Sequence, residues 1–300
     1  MGRTSYLPAL GLTLFLFLVN TLLAPTFLDP YNLANFLLSA LPLAILATGQ
    51  NLVVLGGGID LSLGALLTLA LVAVAVSFEL SPLAAPLLAP LLGGAGGLLN
   101  GLLVGYLRLQ PLVATFATSF LFGGIALWIL PRPGGFVSPW FQDLFRSVWV
   151  SPLLFLILWV LGRSIMRTRF GCFLYATGGN PRAAYANGIA VTQVVFWSHL
   201  GAGLLAGFAA LILLAETGTG DPLVGQAMTL TSIAAVAVGG TRLSGGAGSI
   251  EGALLGAVLL TLFRNVVFFL GIPSNLQVLV EGVVVLLALM ASSALLGRRL

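Results

Sequence analysis

Stretches of about 20 apolar residues, the length a helix needs to cross the hydrocarbon core of a bilayer, recur from one end of this chain to the other. No polar block between them is long enough to fold by itself. The chain is 59% hydrophobic and 7% charged, whereas soluble domains carry roughly a quarter charged residues, so lipid is the expected solvent. In lipid every backbone amide and carbonyl must be satisfied within the protein, which leaves helices or a closed barrel. The alternating pattern of barrel strands is absent. The expected fold is all-α: one transmembrane domain over residues 1–300, a polytopic bundle of about ten helices.

The expected spans are Leu7–Phe27, Leu37–Leu55, Leu61–Phe78, Leu83–Leu107, Leu112–Leu130, Val148–Met166, Val191–Ala215, Leu223–Val238, Ile250–Leu270 and Leu276–Leu296. Arg3 precedes the first as in a signal peptide, but no A-x-A-like site follows, so the segment is read as a retained span. With both termini cytoplasmic, Arg3, Arg108, Arg163, Arg167, Arg169, Arg182, Arg242, Arg298 and Arg299 lie inside and only Arg132 and Arg146 outside. That asymmetry follows the positive-inside rule and supports keeping the short eighth span. Arg264 and Glu281 fall within spans nine and ten at matching depth, and a buried ion pair closing a helical hairpin is the expected reading.

All twelve basic residues are arginine. A P-loop needs its lysine on the β- and γ-phosphates, so this chain holds no Walker A site, and any ATP consumed must be bound by another subunit. The arginines are scattered between apolar runs, which argues against nucleic acid. Cys172 stands alone, excluding an intrachain disulfide or a CxxC site, and no metal site is expected. His199, the one histidine, reads as a helix–helix hydrogen bond rather than a proton relay.

Two polar features interrupt the apolar pattern. "GQNLVVLGGGIDLSLGALL" (Gly49–Leu67) puts three glycines and a carboxylate at the end of span two. Gly57 and Gly58 read as a hinge, and Asp60 as the N-cap of span three, near Ser62. A contact between Asp60 and Arg242, from the second Gly-rich turn "GGTRLSGGAGS", formed in only one conformational state, is a further expectation. The second feature is the cytoplasmic connection from Arg167 to Val191, where "GGNPRAAYANGI" places Asn180 as N-cap, Pro181 at the first helical position and Gly188 just past the end of a two-turn helix. Such a helix is either a tidy surface connection or a handle for a peripheral partner.

A path for a neutral solute needs hydrogen-bonding groups and aromatic faces on an apolar wall. Gln50, Asn51, Asn100, Thr115, Thr118, Thr231 and Ser232 are candidates, with Phe116 and Phe120 as stacking surfaces. Serine or threonine in a span also commonly bonds its own helix. The glycines of "GGAGG" and "GAGLLAG" in spans four and seven read as close helix-packing surfaces.

Four stretches together resemble the permease subunits of bacterial ATP-binding-cassette (ABC) sugar importers of the ribose, xylose and galactose type. They are "GQNLVVLGGGIDLSLG", "NGLLVGYLRLQPLVATFATSFLFGGIALWI", "GCFLYATGGNPRAAYANGIAV" and the long run from Leu230 to Met290. The resemblance implies a bacterial inner-membrane subunit that pairs with a second permease copy or homologue. It implies docking of a cytoplasmic ATPase with two cassettes and receipt of sugar from a periplasmic binding protein. It also implies that Gly178, Gly179, Asn180, Pro181, Arg182, Ala184, Gly188 and Ile189 sit in a cleft of that ATPase, which would hold ATP and magnesium, leaving this chain without a cofactor. Glu251 and Arg264, and Tyr185 and Asn187, depart from the family's usual residues, which bears on the sugar and the ATPase rather than on the class. The rival readings are a proton-coupled secondary transporter using Asp60 or Glu281, a channel, and a membrane enzyme. The last is opposed by the lack of a Ser/His/Asp set or HExxH motif.

Overall fold

The computed structural model describes residues 6–273 and, beyond them, Leu276, Leu279, Gly282 and Val283. Among these the chain is helical, with no strand and one isolated bridge, Gly134 to Gly220. In order the helices are α1 (Leu7–Leu23), α2 (Pro30–Leu55), α3 (Leu63–Ser77), α4 (Leu88–Gly101), α5 (Pro111–Ile129), α6 (Pro139–Arg146), α7 (Val150–Met166), α8 (Arg169–Gly179), α9 (Pro181–Ala186), α10 (Val191–Thr217), α11 (Val224–Val238) and α12 (Ile250–Phe269). Four of them begin on proline, which lacks the amide that a first turn leaves unpaired and brings a preset φ. A π-helical turn, Leu102–Tyr106, continues α4.

The helix α2 is the axis. Of its most apolar stretch 89% is buried, against 28% for α5, so α2 is hydrophobic all round because it is enclosed all round. It packs against α10, α11, α12 and α7, while α1 lies along α12, held there by Asn20 Nδ2 donating to Leu262 O at 3.1 Å. Both glycine patterns are close packing surfaces as expected, and they meet each other, α4 against α10: a Cβ on Gly93 would meet Gly203 O at 2.3 Å.

Five helical stretches are long and apolar enough to cross a membrane, or six if the pair α6 and α7, bent by 76°, is one span; α1, α3 and α11 are apolar but shorter. Two expected boundaries and one loop need correction. Span two starts at Pro30, not Leu37, because Pro30 opens the helix well before the apolar run becomes continuous. Span three starts at Leu63, since residues 56–62 are not helical. The loop before span six contains α6, an amphipathic helix that its low apolar content had hidden. The tenth expected span lies outside the described residues apart from four positions.

The chain carries an internal repeat. Gly57, Asp60, Gly64 and Thr68 recur as Gly218, Asp221, Gly225 and Thr229, each 161 positions later. The bounds of α3 shift by the same amount onto those of α11, and α2 onto α10 to within a residue. The local geometry repeats too: Asp60 Oδ1 accepts the Ser62 amide at 2.8 Å and Asp221 Oδ1 the Leu223 amide at 2.9 Å. The first turns of α3 and α11 lie side by side and antiparallel. The Gly64 amide donates to Thr229 Oγ1 at 3.1 Å, and the Gly225 amide to Thr68 Oγ1 at 2.9 Å. Only glycine allows this approach, because a Cβ on Gly225 would fall 1.9 Å from Gly64 O.

Gly225→Ala is therefore expected to lower thermal stability by about 1–3 kcal/mol or more, the usual cost of overpacking. Gly123→Ala, where a Cβ meets nothing within 4 Å, is expected to be neutral. Fluorescence-detected thermal unfolding of the two purified variants checks the contrast.

Candidate functional site

Between α2 and α3 the backbone leaves α2 at Gly56, turns at Gly57 with φ 89, and runs back beside α2 without regular structure to Ser62. Gln50 lies about 7.5 Å along the helix axis from its end at Leu55, so the segment that pairs with it lies beside an apolar helix rather than beyond its end. Irregular backbone there persists only where the protein supplies its hydrogen bonds. The Gln50 side-chain amide, oriented to satisfy both groups, donates to Asp60 O at 3.0 Å and accepts the Asp60 amide at 3.1 Å. From α5, Thr115 Oγ1 accepts the Leu61 amide at 2.9 Å.

The Asp60 side chain is fully buried. Its Oδ1 accepts the amide of Ser62 at 2.8 Å and the Ser62 hydroxyl at 2.7 Å, while Oδ2 accepts Asn100 Nδ2 at 3.3 Å. Asn100 Nδ2 also donates to Ser62 Oγ at 2.7 Å, and its Oδ1 accepts the Thr118 hydroxyl at 2.8 Å. Helices α2, α4 and α5 thus each send one or two polar side chains onto a single seven-residue break. Gln50, Asp60, Ser62, Asn100, Thr115 and Thr118, six residues chosen separately from the sequence, form one buried network. Asp60 is not the N-cap of α3. That position is Ser62, and the carboxylate instead closes a turn two residues earlier, which is why it reaches one helix amide rather than three.

Above the network lies a cavity of about 540 Å³ between α3, α5 and α11. Phe116 and Phe120 line it, their rings edge to face at 4.8 Å, together with Thr68, Ser119, Gln226 and Thr229. Leu61 forms part of its wall, so the Asp60 segment and the cavity share backbone. No charged side chain lines it. Gln226, Thr68 and Thr229 escaped the reading of the sequence, although the repeated G-x-x-x-T pattern (Gly64 to Thr68, Gly225 to Thr229) marks two of them.

Other expected residues lie elsewhere. Asn51 faces the opposite way from Gln50, accepting the Thr241 hydroxyl at 2.8 Å and donating to Ser249 O at 3.2 Å, so it secures the second Gly-rich turn. Thr231 and Ser232 bond carbonyls of their own helix. His199 Nδ1 lies 2.9 Å from Val195 O, again within one helix, not across two as expected. Arg242 is exposed, and Asp60 and Arg242 form no ion pair in this conformation. Arg264 Nη2 lies 3.5 Å from Thr231 Oγ1, and its expected partner Glu281 lies outside the described residues. Glu251 instead pairs with Arg163, whose guanidinium sits 5.6 Å from the Trp159 ring centre. Among the described residues no cluster of three His, Cys, Asp or Glu is placed to hold a metal ion.

The loop from Arg167 to Val191 holds two helices. Helix α9 has the expected caps: Asn180 Oδ1 accepts the Ala183 amide at 3.0 Å, Pro181 opens the helix, and Gly188 follows it with φ 80. Helix α8 ends against the hinge. A Cβ on Gly178 would lie 1.9 Å from Leu55 O, and one on Gly245 would lie 2.7 Å from Gly57 Cα. The Gly246 amide donates to Leu55 O at 3.1 Å. Three glycine turns, from α2, α8 and the loop before α12, therefore meet backbone to backbone. Tyr175 adds a clip by donating its hydroxyl to Gly248 O at 2.9 Å. Burial, with the Glu251 carboxylate acting in the same sense, pushes its phenol above the ordinary value, so the proton it donates is retained across physiological pH.

Two opposed short helices meeting in an apolar bundle, beside a mostly apolar cavity that carries a few hydroxyl and amide groups, fit a membrane transport subunit. More specifically, the chain belongs to the family described as branched-chain amino acid transport system, permease component, whose model matches residues 32–289. It is 38% identical over 296 residues to the ribose import permease protein of Bacillus subtilis, covering 94% of this chain and 91% of that relative. It is 34% identical over 301 residues to the ribose import permease protein of Escherichia coli K12, covering 95% and 92%. The xylose transport system permease protein of the same organism is 38% identical over 157 residues, 52% of this chain and 40% of that relative. No solved structure matches.

Removing one partner of a buried hydrogen bond leaves the other unsatisfied at about 1–3 kcal/mol. Asp60→Ala and Asn100→Ala are each expected to destabilise by that order, and the double variant by less than their sum. A double-mutant cycle on thermal or denaturant unfolding is expected to give a coupling of about 0.5–3 kcal/mol.

Proposed function

We propose that this chain is the transmembrane subunit of an ABC importer that moves a monosaccharide, a pentose or hexose, across the bacterial inner membrane. The observation that carries the reading is the cavity between α3, α5 and α11. Hydroxyl and amide groups on an apolar, Phe-bearing wall suit a neutral polyol. A zwitterionic amino acid, the solute in the family's description, would need charges that this lining does not offer. The Gly64 and Gly225 amides at the two helix N-termini are already taken by Thr229 and Thr68. The ribose import permeases among the relatives support the same solute class.

In this reading the chain crosses the membrane ten times with both termini cytoplasmic. The short helices α3 and α11 count as crossings because their non-helical approach segments supply the missing depth. Helix α9, with Gly178, Gly179, Asn180, Pro181, Arg182, Ala184, Gly188 and Ile189, docks into a cytoplasmic ATPase with two cassettes, where ATP and magnesium are bound. A periplasmic binding protein delivers the sugar, and a second permease copy or homologue closes the path along the exposed face of α5, where Phe116 and Phe120 stand. Gln50, Asn100, Thr115 and Thr118 shape that path from behind, by holding Asp60 and Ser62 in place.

The test is reconstitution of the permease with its ATPase in proteoliposomes, with the binding protein outside. Ribose or a related sugar is expected to stimulate ATP hydrolysis and to be taken up, and leucine is not. Uptake that continues without the ATPase under a proton gradient would overturn the reading. Asn180→Ala, which removes the cap of α9 at a cost of about 1 kcal/mol, is expected to leave the permease folded while reducing sugar-stimulated ATP hydrolysis severalfold.

A further inference from the structure

Among the described residues three buried side-chain atoms lack a hydrogen-bond partner: Asn20 Oδ1, Thr177 Oγ1 and His199 Nε2. Thr177 and His199, each 1% exposed, line the same cavity of about 240 Å³. It lies between the hinge at Gly56–Gly58, the end of α8, the start of α9 and the N-terminal part of α10, apart from the cavity beside Phe116. Because His199 Nδ1 faces the carbonyl of Val195, a pure acceptor, the proton of the neutral ring is assigned to Nδ1, and Nε2 offers a lone pair. The interior therefore presents an acceptor and, from Thr177, a hydroxyl that serves in either sense.

The mouth is cationic. Arg108 lines it, with φ 55, the one non-glycine residue in the left-handed region among the described residues. Holding a side-chain-bearing residue there costs about 1–2 kcal/mol. A neighbouring groove of about 720 Å³ shares Arg108 and Pro181 with the cavity and adds Arg182 and Tyr185 of α9. No carboxylate lines either space, and neither arginine forms an ion pair among the described residues.

We propose that this cavity and groove bind a polyol phosphate, with a ligand hydroxyl donating to His199 Nε2 and bonding Thr177 Oγ1, and the phosphate held by Arg108 and Arg182. Two buried orphan atoms call for a hydroxyl, and two exposed guanidinium groups without carboxylate partners among the described residues, Arg182 while α9 is undocked, offer a site for an anion. One molecule serves both. The same chemistry occurs in a soluble sugar or glycerol phosphate and in the headgroup of phosphatidylglycerol. Since Gly56–Gly58 and Pro181 line one cavity, an occupant ties the hinge to α9. Binding itself does not depend on the solute that the permease carries.

The competing occupant is water, of which the cavity holds about eight at roughly 30 Å³ each. The test uses the full chain in phosphatidylcholine nanodiscs, titrated with glycerol 3-phosphate and followed by its unfolding temperature. A parallel preparation replaces part of the lipid with phosphatidylglycerol and receives no soluble ligand. A saturable rise in either arm is expected, absent with glycerol or with sodium sulfate at matched ionic strength. A rise in the first arm alone identifies a soluble ligand, and in the second alone a lipid headgroup. Thr177→Val and His199→Leu are each expected to weaken the response by about tenfold, the worth of one hydrogen bond. No rise in either arm, an equal rise with sulfate, or undiminished affinity in both variants would leave the cavity to water. Should neither variant fold, the wild-type contrast between glycerol 3-phosphate and sulfate decides alone.

Discussion

The structure turns on a seven-residue break between α2 and α3 whose Asp60 and Ser62 are buried in the bundle. Residues 58–62 have no helix to satisfy them; Gln50 and Thr115 pair with the backbone of Asp60 and Leu61, and Asn100 holds the Asp60 and Ser62 side chains. The cost of an unpaired backbone group in hydrocarbon is several kcal/mol, so these side chains are fixed by the break, and the break in turn fixes α2, α4 and α5 around it. The short α3 follows from the same constraint. It starts late because the chain before it is not helical, and its exposed first turn is what meets α11.

The repeat shows which part of this arrangement is scaffold and which is chemistry. Backbone features are kept in both halves: the glycine turn, the Asp that accepts the amide two residues on, and the G-x-x-x-T start of a short helix. The polar support is not. The positions matching Gln50, Asn100, Thr115 and Thr118 are Leu211, Thr261, Leu276 and Leu279. Asp221 accordingly sits partly exposed near the Gly134–Gly220 bridge, whereas Asp60 is enclosed. Among the described residues the symmetric frame thus carries an asymmetric site, since three of the four supporting positions change from polar to leucine.

Much of this was legible in the sequence because hydrocarbon imposes strong local rules. Apolar run length located α2, α5, α10 and α12, and the Asn-Pro and Gly signals set both ends of α9. Buried amides in apolar helices had to have partners, which singled out Gln50 and Asn100. What was missed depends on pairings between segments far apart in the chain. Asn51 looks as path-like as Gln50, and only the 100° step between adjacent helical residues sends one to Asp60 and the other to Thr241. Asp60 looked like a helix cap because the helix was expected to begin at once, and the non-helical run to Ser62 was hidden under apolar Ile59 and Leu61. The repeat was present in four matched residues, too few to stand out until two helices of identical length gave the register.

The hydrogen-bonded hinge also limits how motion can reach the cavity. Shifting a two-state equilibrium from 1:99 to 99:1 takes about 5.5 kcal/mol, and each buried hydrogen bond of the Asp60 network left unmade would cost about 1–3 kcal/mol. Breaking the network would therefore add a cost comparable to the whole of such a shift. The network must instead move as one body, which places the compliance at its edges. The glycine junction is such an edge: Gly57, Gly178 and Gly245 touch through backbone, with no side chain to interlock them and with positive φ at Gly57 and Gly245. A displacement of α8 and α9 is then passed to the start of the break through steric contact. Leu61, in the cavity wall, belongs to the same hydrogen-bonded segment.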